Sequence, residues 1–147
     1  MSLLVAALVS QAVMAQAVDS SWWVPDLLIA GLVLGIVRQP SRWALLSITA
    51  GFGAMVWAIR MPSTIAGSVL ILGWAVRAAH AQWDLSDRRV QGLLAGIASA
   101  AMTGVAVWGD DRWSLPIMGW LVMRATLTGL IAWWLASRNE RRSWQPG

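Results

Sequence analysis

The arginines of this chain are distributed unevenly among the short polar segments that separate its apolar runs. Six apolar runs span residues 2–18, 24–37, 43–59, 63–76, 90–108 and 114–135. If each run crosses a membrane, eight loop or tail arginines lie on the side of the N terminus, and only Arg60 and Arg112 lie on the other side. The eight are Arg38, Arg42, Arg77, Arg88, Arg89, Arg138, Arg141 and Arg142. Because basic residues in short loops stay in the cytoplasm, this pattern predicts six short transmembrane helices with both termini cytoplasmic.

The composition independently indicates a membrane protein. Hydrophobic residues make up 58% of the 147 residues, and the mean hydropathy is +0.61, which leaves too little polar surface to coat a soluble domain of this size. We therefore expect an all-α, polytopic protein whose residues 1–147 form a single transmembrane helical domain in contact with membrane lipids. The net charge of +4 lies in loops beside apolar runs, where it meets anionic headgroups, so no nucleic-acid partner is expected.

The first apolar run has a second interpretation. Small residues near Ala15 and Ala17 are compatible with the cleavage site of a secretory signal peptide, which would leave five spans. No Lys or Arg precedes the run, however, and a signal peptide normally begins with positive charge. A retained first span is therefore the preferred interpretation.

The twelve Trp residues lie mostly at the ends of the apolar runs. Examples are Trp43 and Trp74 on the side of the N terminus and Trp108 on the other side. Indole rings prefer the level of the lipid headgroups, so an aromatic belt is a better interpretation than a ligand cage.

Small residues predict where helices approach each other closely. The fifth run carries such residues at every fourth position, and the second run repeats the spacing once. These predicted helix-packing positions are Gly92, Gly96, Ala100 and Gly104 in the fifth run and Gly31 and Gly35 in the second. Close backbone approach favours helix association in lipid, so this ridge predicts a tight crossing, preferably with another helix of this chain.

Arg124 lies ten residues into the last run and therefore near the middle of the bilayer. A charge at this depth is costly, so its side chain is predicted to face the bundle interior as a structural clamp. Gln11 and Ser99 sit at comparable depth and are expected to accept its hydrogen bonds. Asp26 is the one plausible acidic partner, although a helical rise of about 1.5 Å per residue places it roughly 8 Å beyond the arginine's reach.

No catalytic, cofactor-binding or metal-binding constellation is recognisable in the sequence. Cysteine is absent, and His80, the single histidine, is expected to be a solvated residue of the fourth loop. Asp110 and Asp111 are neighbours in sequence, which seldom converge on one substrate atom, and they are better explained as a turn before the last helix. The chain is therefore expected not to be an enzyme.

The order of these features resembles the MreD family, integral membrane subunits of the bacterial rod-shape machinery. The matching segments are Pro25 to Leu28, Arg38 to Leu46, Pro62 with the fourth run, Leu85 to Leu94, and Arg124 to Leu127 with the arginines of the tail. The resemblance covers nearly the whole chain at the level of pattern. It implies a non-enzymatic scaffold in the bacterial inner (cytoplasmic) membrane that takes part in cell shape and peptidoglycan synthesis. The implied partners are an MreC-like membrane protein and a RodA-type cell-wall synthase.

Two other functions are compatible with the sequence. The first is the small-molecule (vitamin) binding subunit of an energy-coupling-factor type transporter, which also packs six short helices. Such a subunit needs convergent polar side chains, for which Asp26, Gln11, Ser68 and Thr64 are the candidates. The second is a lipid-handling enzyme, for which the sequence shows no catalytic cluster.

Overall fold

The computed structural model of the protein describes residues 2–17, 26–57, 62–108 and 114–143. These residues form six α-helices and one 3-10 turn, with no strand among them. The α-helices are α1 (Ser2–Ala17), α2 (Leu27–Arg38), α3 (Trp43–Trp57), α4 (Pro62–Gln82), α5 (Arg88–Trp108) and α6 (Leu115–Ser143), and the 3-10 turn is Pro40–Arg42. The prediction of an all-α chain is confirmed.

Three of the described helical segments are long and apolar enough to cross a membrane, which supports membrane association. They are Ser63–Gln82, Arg88–Trp108 and Leu115–Arg138. Helix α2 is also apolar but shorter, at 12 residues. The count of six spans and the cytoplasmic location of both termini stay predictions.

Helix α4 continues beyond the predicted end of the fourth run at residue 76 and ends at Gln82. The alanines that surround His80 are good helix formers, so the helix is not interrupted there. His80 is half-buried in the last turn of α4, and its Nε2–H donates a hydrogen bond to the carbonyl oxygen of Val37 at 3.2 Å. The expectation that His80 is a solvated loop residue is therefore wrong.

Helix α2 lies at the centre of the bundle and contacts each of the other five α-helices. Apolar side chains surround its axis on all sides, which is the pattern of a fully buried helix. Leu32, Val33, Leu34 and Ile36 are each 0% exposed. The core of the protein is thus built around its shortest α-helix.

Several helix ends that carry arginine meet at one end of the bundle. The His80 contact brings the end of α4 to the end of α2, and Gly92 near the start of α5 faces Trp133 near the end of α6. This basic end holds Arg38, Arg42, Arg88, Arg89 and Arg138. Residues 58–61 and 109–113, which contain Arg60 and Arg112, lie outside the described residues.

Candidate functional site

Five polar side chains, four from three neighbouring helices and one from the N-cap of α2, surround the start of α2. This polar cluster consists of Gln11 from α1, Asp26 just before α2, Ser99 from α5, and Arg124 and Thr128 from α6. Sequence reasoning singled out four of these residues and missed Thr128. The structure brings all five together.

The cluster satisfies backbone N–H groups that the first turn of α2 leaves without partners. The N–H of Asp26 donates to Thr128 Oγ1 at 2.9 Å, and the N–H of Leu27 donates to Gln11 Oε1 at 2.8 Å. Asp26 Oδ1 in turn accepts from the N–H of Ile29 at 3.2 Å, which makes Asp26 the N-cap residue. The first turn of α2 is therefore capped by two other helices as well as by its own flanking residue.

This arrangement places the start of α2 deep inside the bundle rather than at its edge. Gln11, Ser99 and Thr128 all lie near the middle of their helices. The 12 residues of α2 extend about 18 Å at 1.5 Å per residue, whereas the hydrocarbon core of a bilayer is about 30 Å thick. Helix α2 thus extends from the basic end to mid-depth of the bundle.

Arg124 and Asp26 form an ion pair, with Arg124 Nη2 and Asp26 Oδ2 3.5 Å apart. The side chains are 23% and 13% exposed, respectively. The sequence-based expectation that Asp26 lies beyond the arginine's reach is wrong, because it placed the start of α2 level with the outer ends of the other helices. The recessed start of α2 brings the carboxylate down to the arginine.

Gln11 and Ser99 do not bond Arg124 as expected. Gln11 accepts from Leu27 instead, and Ser99 Oγ lies 3.3 Å from Thr128 Oγ1. Arg124 Nε is buried and has no hydrogen-bond partner among the described residues. Gln11 and Ser99 therefore belong to the cluster, but they contact the groups that cap α2 and do not contact the guanidinium of Arg124.

Thr128, which the sequence analysis did not single out, contacts three other residues of the cluster. It is fully buried, its Oγ1 accepts from the N–H of Asp26, and it lies 2.8 Å from the carbonyl oxygen of Arg124 one turn earlier. A helical threonine commonly donates to the carbonyl four residues before it, so its hydroxyl proton is used there and its lone pairs remain for Asp26. Its position one turn after Arg124, on the same helix face, was the available signal.

Part of the predicted small-residue ridge lies at a tight crossing between α5 and α6. A Cβ atom added to Gly92 would lie 2.8 Å from the carbonyl oxygen of Gly129, and one added to Gly96 would lie 3.0 Å from that of Ala125. A Cβ at Gly104 would meet nothing within 4 Å among the described atoms. Ala100 lines an open groove beside the crossing. Gly92 and Gly96 of the ridge therefore lie at the crossing, and Gly104 lies outside it.

The matching small residues on α6, Ala125 and Gly129, were not singled out from the sequence. Their spacing of four residues repeats that of Gly92 and Gly96, and this repeat was the signal that identifies the partner helix.

The two glycines predicted in α2 are differently placed. Gly31 is buried, and a Cβ at Gly35 would lie 3.4 Å from a methyl carbon of Leu46 in α3, which is ordinary contact. A tighter α3–α4 crossing occurs at Gly73, where a Cβ would overlap Ser47 Oγ. Ser47 is fully buried and donates to the carbonyl oxygen of Trp43 at 2.8 Å.

No family model matches the chain, and neither does any curated protein or solved structure. The described part of the chain contains no group of three or more His, Cys, Asp or Glu side chains placed to hold a metal ion.

The polar residues that a transporter subunit would use do not converge. Asp26 and Gln11 meet at the start of α2, but Ser68 donates to the carbonyl oxygen of Thr64 within α4 at 2.9 Å. Thr64 is exposed on α4. The four candidates are thus divided between a cap inside the bundle and one turn of a different helix.

Proposed function

We propose that this protein is a non-enzymatic scaffold subunit of the bacterial cell-wall elongation complex, as its resemblance to the MreD family implies. The observation that supports the proposal is that the polar cluster bonds within the bundle. Its side chains bind one another and the backbone of α2, so they stabilise the bundle instead of lining an open ligand site. A scaffold needs a rigid bundle of this kind and no catalytic group.

The resemblance supplies the partners. An MreC-like membrane protein and a RodA-type cell-wall synthase are proposed to contact the protein within the bacterial inner (cytoplasmic) membrane. Many large apolar side chains remain exposed on the described helices, for example Phe52 at 67% and Ile71 at 69%. Such side chains suit a lipid environment and contacts with the helices of other membrane proteins.

The vitamin-binding alternative has weaker support, because Ser68 and Thr64 do not meet Asp26 and Gln11. It predicts a different set of companions, since energy-coupling-factor transporters require a pair of ATPases. The two proposals are therefore separable in one experiment.

The test is co-purification of the tagged protein in a mild detergent. The MreC-like protein and the RodA-type synthase of the same genome are co-expressed with it, and an unrelated polytopic protein serves as the control bait. The proposal predicts recovery of the MreC-like protein with this chain and not with the control. Failure to recover either partner with a folded, monodisperse bait would contradict it, as would specific recovery of an ATPase pair.

A further inference from the structure

An open groove runs along the outer side of the α5–α6 crossing. It has a volume of about 580 Å³, and its walls include Leu93, Ile97 and Ala100 from α5 and Leu130 and Trp133 from α6. Gly92, Gly96 and Gly129 of the crossing also line this groove. Its lining is overwhelmingly apolar.

One end of this α5–α6 groove is positively charged. Arg89 lines it at the start of α5, at the basic end of the bundle, and is exposed. No hydrogen bond or ion pair engages its guanidinium among the described residues. Trp133, an amphipathic side chain of the kind that prefers the headgroup level, lies near the same end.

The length of the groove matches that of one lipid acyl chain. From Arg89 to Ala100 the helix rises about 16 Å at 1.5 Å per residue, close to half of a hydrocarbon core about 30 Å thick. A lipid acyl chain that starts at a headgroup extends through one leaflet and ends at this depth. A transmembrane helix of a partner crosses both leaflets, and the groove lining does not continue past Ala100 to Gly104.

We propose that the α5–α6 groove binds an anionic phospholipid from the leaflet at the basic end. Its phosphate contacts Arg89, and one acyl chain lies along Leu93, Ile97 and Ala100. Arginine suits the phosphate because it presents several N–H donors in a planar fork. This proposal does not depend on the scaffold function.

The test is native mass spectrometry of the full chain in detergent with equal amounts of phosphatidylglycerol and phosphatidylethanolamine that carry identical acyl chains. Arg89→Gln is expected to lower the preference for phosphatidylglycerol about five-fold, the effect of one basic residue near an anionic surface. Arg42→Gln is the matched control, because Arg42 is also exposed at the basic end but lies outside the groove. An equal loss of the preference for phosphatidylglycerol in the two variants would overturn the proposal, since it would indicate a general attraction of anionic lipids to the basic end.

The acyl-chain contact requires its own measurement. Ala100→Leu fills the groove far from Arg89 and is expected to lower the retention of both lipids without changing their ratio. Lipids brominated along the acyl chain are also expected to quench less of the fluorescence in Trp133→Phe than in the parent protein, because Trp133 lines the groove. Unchanged retention in Ala100→Leu, or equal quenching with and without Trp133, would overturn the proposed position of the chain.

Discussion

Thr128 shows how one buried hydroxyl joins distant parts of this chain. Its oxygen accepts from the N–H of Asp26, which is 102 positions away in sequence, and it lies 2.8 Å from the carbonyl oxygen of Arg124. Inside an apolar bundle no solvent replaces a lost partner, so a backbone N–H left unsatisfied there is costly. The stability of the α2 cap therefore depends on this side chain.

Replacement of Thr128 by Val preserves the shape of the side chain and removes the hydroxyl. We expect the free energy of unfolding in detergent to fall by about 1–3 kcal/mol, the cost of an unsatisfied buried polar group. Thr126→Val is the matched control, because Thr126 lies on the same helix, is exposed, and donates to the carbonyl oxygen of Val122 in its own helix. Equal stability of the two variants would show that the cap of α2 does not depend on Thr128.

The Arg124–Asp26 ion pair is testable with a double-mutant cycle. Arg124→Ala leaves the Asp26 carboxylate without its ionic partner, and we expect the free energy of unfolding to fall by up to about 3 kcal/mol. This is the lower end of the range for broken buried pairs, because both side chains are still partly exposed. In Asp26→Asn, which retains an N-cap side chain, the same arginine substitution is expected to cost less. Arg124→Lys is expected to restore stability only in part, because the lysine side chain is shorter and lacks the planar fork.

Thermal or denaturant unfolding of the four cycle members in one detergent measures the coupling. An identical cost of Arg124→Ala with and without the carboxylate at position 26 would mean that the two groups do not interact.

At the scale of single residues, sequence reasoning identified most of the cluster but not its bonding. The depth of Arg124 in an apolar run was sufficient to predict an interior position. The partners of Gln11 and Ser99 were not predictable, because they depend on where α2 begins relative to the other helices. That start is determined by three-dimensional packing of α2 against the middle of α1, α5 and α6.

At the scale of helices, close approach is provided by small residues on both partners. Gly92 and Gly96 of α5 face Gly129 and Ala125 of α6, so backbone atoms lie where side chains would otherwise be. The four-residue spacing in α5 predicted a tight crossing but not its extent. Gly104 continues the spacing beyond the contact, so the sequence pattern is longer than the interface.

Substitution of Gly96 by Leu is expected to force α5 away from α6, because the nearest obstacle is a backbone carbonyl and not a flexible side chain. We expect a stability loss of about 1–3 kcal/mol by analogy with overpacked cores. Gly104→Leu introduces the same side chain into the same helix where the structure leaves space, and it should be close to neutral. Melting temperatures in detergent provide the comparison, and similar losses at both positions would argue against a crossing centred on Gly96.

At the scale of the whole molecule, the helices form a bundle in which the shortest α-helix is the most central. The positions of the apolar runs predicted all six helices because long apolar segments separated by charged loops are readable without three-dimensional information. The ends of α4 and α6 were underestimated, since both helices continue as polar segments where hydropathy no longer marks them. The described loop and tail arginines that the charge pattern places on one side lie together at the basic end of the bundle.

Cysteine labelling tests whether the protein is a six-span bundle whose basic end faces the cytoplasm. The chain has no native cysteine, so single cysteines report unambiguously. In intact cells, an impermeant thiol reagent is predicted to modify a cysteine at Asp110, in the loop that the charge pattern places outside, and to leave cysteines at Gln39 and Ser86 unmodified until the cells are permeabilised. Labelling of Gln39→Cys or Ser86→Cys in intact cells would place the basic end outside the cytoplasm and overturn this topology.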